Sequence, residues 1–272
     1  MEPRDDVTVI IAAKDEAVTI GPLIERSRRY AAHVIVVDGH SRDATAAIAA
    51  AAGARVLVDR GRGKGDALRV GIDAVQTSII VFLDADGSHD PDDIPRVVAP
   101  ICEGRADHVS GSRLIGGSSE LHGGFDEFLR LTGSSLITAC INWRFRSRLS
   151  ESQNGFRAIR TDVARRLNLR ANLTTIEQEM IVKTLRMGYR MAEVPTHEHK
   201  RVFGTSHIVL WRVAPVYVVS LLWHLFFSPL GSRVAQPAAV GVARRQQRAG
   251  AATDVVERQV AASSGVGARF DA

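Results

Sequence analysis

Cysteine is nearly missing from this chain: Cys102 and Cys140 are the only two in 272 residues. Their spacing fits neither a disulfide framework nor a thiolate metal site, which excludes a small cross-linked secreted scaffold and a zinc module. A reducing, cytoplasmic setting is expected. The opening MEPRDDVTVI has neither the basic nor the apolar region of a secretory signal and leads straight into a strand pattern. Long apolar runs are equally scarce. The most apolar stretch, IVLWRVAPVYVVSLLWHLFFSPL at 208–230, is interrupted by Arg212 and Pro215. What remains, roughly Val216 to Phe227, falls short of the ~20 apolar residues a spanning helix needs. An amphipathic helix over 211–230, lying in a membrane interface with Trp211, Tyr217 and Trp223 near head-group depth, is the expectation. A core helix packed on the domain is the competing reading. From Gly231 onward few large apolar residues occur, and 231–272 is expected to be a disordered basic tail.

What is present suffices for one main domain over 1–210, since hydrophobic residues make up 45% of the chain. The formal charge is +5, which favours phosphates or acidic lipid head groups as partners. Much of that excess is arginine in the C-terminal part, and no nucleic-acid partner is expected. Apolar runs alternate with helical patterns: VTVIIA, HVIVVD, RVLVD and SIIVFLD read as strands. Between them lie a helix from near Val18 carrying Ile20, Leu23 and Ile24, then DATAAIAAAAG, then KGDALRVGIDAVQ. This order predicts a mostly parallel α/β sheet flanked by helices, with ligands outside the carboxyl ends of its strands. Further on, DDIPRVVAPIC reads as a helix, DHVSGSR as a strand, LIGGSSELHGG as a mobile loop that orders on ligand binding, and about Phe125 to Phe145 as helical. IEQEMIVKTLRMG is then a helix ending at Gly188, and RMAEVP a strand.

The polar clusters fall at those strand ends. FLDADGSHDP sets Asp84 and Asp86 one residue apart after the fourth strand, where their repulsion is relieved if a hard divalent cation sits against them. Isolated, such a pair is commonly a solvated loop; at a sheet edge it points to Mg²⁺ or Mn²⁺. AAKDEA places Asp15 and Glu16 after the first strand, and VVDGHSRDAT places Asp38 after the second. Acids there can accept hydrogens from a base or ribose, and Lys64 in RGRGKGDA can meet a phosphate. The plainer readings are N-caps at Asp38 or Asp43 and turn glycines at Gly61, Gly63 and Gly65. A Walker loop is excluded because Gly65, not Ser or Thr, follows Lys64. HEH at 197–199 lacks zinc-protease spacing and reads as polar surface.

In order, VTVIIAAKDEAVTI, VVDGHSRDAT, GKGDALRVG, FLDADGSHDP, GSR, QNGFRAIR, AEVP and KRVFGTSH resemble the motif series of family 2 glycosyltransferases of the GT-A fold. Within that family the chain most resembles the dolichol-phosphate mannosyltransferase-like, or polyprenyl-phosphate glycosyltransferase, branch, over about residues 7 to 210. The resemblance implies a nucleotide-sugar donor, a polyprenyl phosphate acceptor and a peripheral position at the inner face of the membrane. It assigns Ala12, Lys14, Asp15, Glu16 and Asp38 to the nucleotide, with Lys64, Asp84, Ala85 and Asp86 beside it. Asp84 and Asp86 would bind the metal, Asp86 as the direct ligand. Arg113, Arg201 and His207 would face the acceptor phosphate, and the catalytic set would be Asp86, Arg113, Glu151 and Arg201. Two departures stand out: Glu151 where the family often has Asp, and His207 where it often has Lys. His89 would approach the metal or hold its loop. Were the acceptor a hydroxyl, Glu151 or Glu177 would be the candidate base, although Glu177 also reads as an ordinary helix-surface residue. A nucleotidyltransferase is disfavoured, since it would need a glycine-rich basic loop where AKDEA stands. A nucleotide-binding membrane scaffold without turnover is disfavoured by the intact Asp84 and Asp86.

Overall fold

The computed structural model describes residues 2–118, 125–200 and 210–227. The first half alternates as read: β1 (Arg4–Ala13), α1 (Ile20–Ser27), β2 (Ala31–Asp38), α2 (Thr45–Ala51), β3 (Arg55–Val58), α3 (Lys64–Ala74) and β4 (Ile79–Asp84). A 3₁₀ turn at Pro91–Asp93 leads into α4 (Ile94–Cys102), then β5 (His108–Ser112) and the short α5 (Arg113–Gly116). The second half holds α6 (Phe125–Phe145), β6 (Arg157–Arg160), α7 (Thr161–Arg166), α8 (Ile176–Arg186), β7 (Met191–Pro195) and α9 (Leu210–Leu222), closed by a π-helical turn at Trp223–Phe227.

The strands form one sheet in the order β3-β2-β1-β4-β6-β5-β7. All neighbours are parallel except β6, which runs antiparallel to both β4 and β5. Both faces are covered, which is why the central strands read as unbroken apolar runs rather than alternating ones. On one face Val9, Ile11, Val81 and Leu83 pack with Ile20, Ile24, Val97 and Ile101 of α1 and α4. On the other Ile10, Val37 and Phe82 pack with Leu68, Ile72, Val163 and Met180 of α3, α7 and α8. Successive strand residues point to opposite faces, so Ile10 and Ile11 serve different cores.

The structure differs from the sequence reading in several places. The first helix starts at Ile20, because Val18 is exposed and residues 16–19 form a turn in which the Glu16 carbonyl accepts from the Thr19 and Ile20 amides. Leu114 to Gly116 of the expected loop belong to a helical turn that begins at Arg113, and 119–124 lie outside the described residues. The final helix packs on the domain along one side and leaves apolar residues exposed on the other. Leu221 and Leu225 pack with Ile141 of α6 and Ile181 of α8, whereas Val218, Val219, Trp223, Phe226 and Phe227 are exposed. The Tyr217 hydroxyl donates to Thr174 Oγ1 at 2.6 Å, so this ring is tied to the domain rather than to a head-group layer. Among the described residues no helix is long and apolar enough to cross a membrane. The tail and the side chain of Trp211 lie outside the described residues.

Candidate active site

Parallel pairing brings the carboxyl ends of β1 to β4 to one edge. Ala12 lies in register between Val37 and Asp84, and Ala13 pairs with Asp38. The loops at this edge fasten one another with side chains. Asp15, at a left-handed φ of 55°, accepts the Arg42 amide at 2.7 Å through Oδ1, and its own amide donates to Ser41 Oγ at 2.9 Å. The Glu16 amide donates to Thr45 Oγ1 at 2.8 Å. Asp43 accepts the amides of Thr45 and Ala17, and the Thr45 hydroxyl bond leads these in holding its carboxyl below the usual range. Asp43 therefore fastens the two loops to each other, while the N-cap position of α2 falls to Ala44. Asp38 is different. It is 6% exposed, its Oδ2 accepts the Ser41 amide at 3.1 Å, and its buried Oδ1 has no hydrogen-bond partner among the described residues. A buried carboxylate oxygen left without a donor is costly, so this atom is suited to a ligand hydroxyl or N–H. Lys14 and Asp15 are exposed at the same edge. Ala85 is buried in the core beneath α1 and α4, which leaves its backbone rather than its methyl to any ligand.

Lys64 opens α3 and reaches across to Asp84 Oδ1 and to Glu177 Oε1, each at 2.6 Å. Burial works against the lysine's charge, but the two carboxylates outweigh it and hold its pKa above the ordinary value. Burial likewise opposes the Asp84 carboxylate, and Lys64, His89 and Arg157 together still bring it down to about 2. The glycines around Lys64 serve a chain crossing: the Gly65 amide donates to the Asn172 carbonyl at 2.8 Å, and a Cβ at Gly63 would meet that same oxygen at 2.9 Å. Asp86 is held by the Ser88 amide at 3.0 Å and hydroxyl at 2.6 Å, both donating to Oδ1. His89 stacks on Phe156 and its Nδ1 faces the Asp84 amide at 3.3 Å, which makes it a brace of this loop.

Antiparallel β6 delivers the NGFR segment to the same place. A Cβ on Gly155 would lie 2.6 Å from Asp84 Oδ2, so glycine is what lets the backbone reach the carboxylate. Arg157 is 1% exposed and donates to the carbonyls of Glu177, at 3.0 Å, and of Asn154. Its burial lowers its pKa, yet a guanidinium stays charged under any working condition.

The last cluster stands where β5 ends. Arg113 Nε lies 2.8 Å from Glu151 Oε1, and Nη1 donates to Glu198 Oε1 at 2.7 Å. The amides of Ser150 and Glu151 donate to Glu193 of β7, which fixes Glu151 in its buried position. Burial raises the Glu151 pKa in spite of Arg113. Residues 197–199 form a strap rather than plain polar surface. The Glu198 amide donates to the Gly117 carbonyl at 3.1 Å, and the His199 amide to the Ser88 carbonyl at 2.8 Å. Glu177, which reads in sequence as helix surface, is 5% exposed and holds Lys64. Arg157, Glu193 and Glu198 received no role from the sequence, although QNGFRAIR, AEVP and HEH contain them, because the partners that draw them into the site are distant in sequence. Arg201 and His207 lie outside the described residues.

Among the described residues four carboxylates, Asp84, Glu151, Glu177 and Glu198, thus face three cations, Lys64, Arg113 and Arg157, and Asp86 adds a fifth carboxylate two residues from Asp84. That excess of negative charge, on hard oxygen donors, fits a divalent Mg²⁺ or Mn²⁺ held by Asp84 and Asp86. Among the described residues no group of three His, Cys, Asp or Glu side chains is assembled as a complete metal cage. An ion here would therefore share its coordination with a ligand or water.

Comparison with known proteins gives one consistent picture. Glycosyltransferase AglJ of Haloferax volcanii is 30% identical over 208 residues, 76% of this chain and 67% of that protein. A dolichyl-phosphate hexose transferase of the same organism is 27% identical over 205 residues, covering 74% of this chain and 86% of its own length. Glucosyl-3-phosphoglycerate synthase of Mycobacterium tuberculosis, solved with Mn²⁺, UDP and phosphoglyceric acid, superposes with a TM-score of 0.65 at 21% identity, over 82% of this chain and 79% of that one. That likeness confirms the GT-A fold. The sequence profile described as "Glycosyl transferase family 2" matches residues 8–166, spanning β1 through α7 with Asp38, Asp84, Asp86, Arg113 and Glu151 inside it. The chain belongs to glycosyl transferase family 2 and is a glycosyltransferase.

Proposed function

We propose that this enzyme moves a hexosyl group from a UDP- or GDP-sugar to a polyprenyl phosphate, with inversion at the anomeric carbon and with Mg²⁺ or Mn²⁺, while resting on the inner face of the membrane. The observation that carries this reading is the engagement of both candidate bases: Glu151 is paired with Arg113 and Glu177 with Lys64. A hydroxyl acceptor would need one of them free to take a proton, whereas a lipid phosphate is already ionised and attacks unaided. The dolichyl-phosphate substrate class of one relative and the bound UDP and Mn²⁺ of the structural neighbour support the acceptor and donor classes. The exposed apolar residues of α9 and its π turn support membrane docking.

In this reading Asp38 Oδ1 accepts a hydrogen from the nucleoside, and Asp84 and Asp86 would hold the metal beside the donor diphosphate. The metal supplies positive charge against the charge that grows on the leaving diphosphate. Lys64 stands 2.6 Å from Asp84, close enough to share that task. Arg113 presents a guanidinium with more N–H donors than its two carboxylates consume, and it orients the acceptor phosphate together with Arg201 and His207.

The test is mass spectrometry of products after incubating the full chain and Mn²⁺ with UDP- and GDP-sugars, with and without polyprenyl phosphate. A glycosyl-phosphoryl-lipid formed from one donor is the expected result. Donor consumed without lipid product would transfer the assignment to a hydroxyl acceptor, with Glu151 or Glu177 released to act as base. No consumption of any donor would remove the activity altogether.

A further inference from the structure

Away from the sheet edge, a groove of about 640 Å³ runs between α8 and α9, beside the end of α7. Its volume falls in the ~300–1,000 Å³ range of ligand pockets. One wall is apolar, with Pro215, Val216, Val219 and Trp223 of α9 and its π turn. The other is basic, with Arg166, Arg170, Lys183 and Arg186. The one acid among the described lining residues, Glu179, is already satisfied: it accepts the amides of Arg170 and Ala171 and pairs with Lys183 at 2.5 Å. Lys183 is thereby neutralised as well.

Three guanidinium groups are left over. Among the described residues none of Arg166, Arg170 and Arg186 has a carboxylate within ion-pair distance. Arg186 donates to the His224 carbonyl at 2.7 Å, and its pKa is lowered by burial and by nearby Arg144, the condition of a cation without a counter-ion. His224, 8% exposed, lines the same groove and has a buried Nδ1 with no hydrogen-bond partner among the described residues. The apolar wall does not end at the groove. Val216, Val219 and Trp223 are 43%, 66% and 54% exposed and continue into exposed Phe226 and Phe227. A ligand that matches both walls carries an anionic group at one end and hydrocarbon at the other.

We propose that this groove binds an anionic membrane phospholipid, its phosphate among Arg166, Arg170 and Arg186 and its acyl chains along Val216, Val219 and Trp223. The site is separate from the acceptor site, where Arg113 stands, and it sets the orientation in which the enzyme sits on the bilayer. It rests on the membrane-docking part of the proposed function.

Two measurements test it on the full chain. In the first, short-chain phosphatidylglycerol below its micelle concentration is titrated by calorimetry, beside short-chain phosphatidylcholine and inorganic phosphate. Saturable binding of phosphatidylglycerol alone is expected, weakened about fivefold by Arg170→Gln, the loss expected for one basic side chain, and abolished by Val219→Glu. Both positions are exposed, so the variants should fold, and unchanged thermal melting checks this. Arg29→Gln, at an exposed arginine beyond the end of α1, is expected to leave binding unchanged. Binding of inorganic phosphate with equal affinity would show an anion site and overturn the lipid assignment, and equal loss in Arg29→Gln would show general charge attraction and overturn the site. The second is flotation with vesicles of phosphatidylcholine, plain or doped with phosphatidylglycerol. Preference for the doped vesicles is expected. Equal binding to both would end the groove proposal while membrane docking stands, and binding to neither would overturn both.

Discussion

Lys64 lies between Asp84 and Glu177, and Arg113 between Glu151 and Glu198, so each half of the site holds one cation against two carboxylates. In the Lys64 cluster the Asp84 pKa is lowered to about 2, because Lys64, His89 and Arg157 together outweigh burial. In the Arg113 cluster the balance is reversed: burial dominates at Glu151 and pushes its pKa up. One arrangement therefore holds full charge where a metal and a diphosphate are expected, and the other carries a strained carboxylate beside the arginine assigned to the acceptor. The difference teaches that counting opposite charges in a cluster does not fix its protonation; depth and the number of further cations do.

The largest change is expected from Asp86→Asn. It removes one metal-facing charge at nearly constant volume, and transfer should fall by about three orders of magnitude or more, the several kcal/mol a metal's charge stabilisation supplies. Unchanged circular dichroism with lost turnover is the expected pair of readings; retained turnover would end the metal role of Asp86. Lys64→Met should come next. It leaves Asp84 and Glu177 without their common cation, at a cost of about 3 kcal/mol in denaturant unfolding. Added Mn²⁺ should return more stability to this variant than to the parent if the ion and the lysine share Asp84.

Gly155→Ala places a methyl against Asp84 Oδ2 and should displace that carboxylate. A shift of roughly 1 Å costs on the order of 10²-fold in rate. Rates within a few-fold of the parent would show that Asp84 need not stay where it is. The smallest expected effect separates the two clusters by pH. Asp84 is depressed from 3.8 to about 2, so its contribution is present above pH 3.8 and is lost as pH falls toward 2. Lys64 is raised above 10.5, so its contribution is complete below pH 10.5 and is lost only as pH rises through its higher folded value. Glu151 has the opposite sense to Asp84. Its folded pKa lies above 4.5, the folded state binds its proton more tightly, and stability gains as pH falls through that value toward 4.5. Glu151→Gln should erase this gain and leave the acid loss from Asp84 in place, as read by urea unfolding across pH. An unchanged profile would show that Glu151 titrates normally.

The sequence by itself determined the alternation of strands and helices through β4, the covered sheet and the placing of Asp38, Asp84 and Asp86 at strand ends. It could do so because periods of 2 and 3.6 residues and strand-end carboxylates are local patterns. The helical region read at about Phe125 to Phe145 is α6. Only the tertiary structure decided that β6 enters antiparallel between β4 and β5, since apolar pattern reports which face is buried and not which neighbour or direction is chosen. That insertion makes Arg157 and Gly155 neighbours of Asp84. It was also tertiary structure that joined Lys64 to Glu177 across 113 positions and Arg113 to Glu198 across 85, turning an apparent surface helix residue and a polar strap into parts of the site. Ion pairs formed at such separations leave no periodic trace in the chain, because each partner's charge is equally compatible with solvent until the fold removes the water around it.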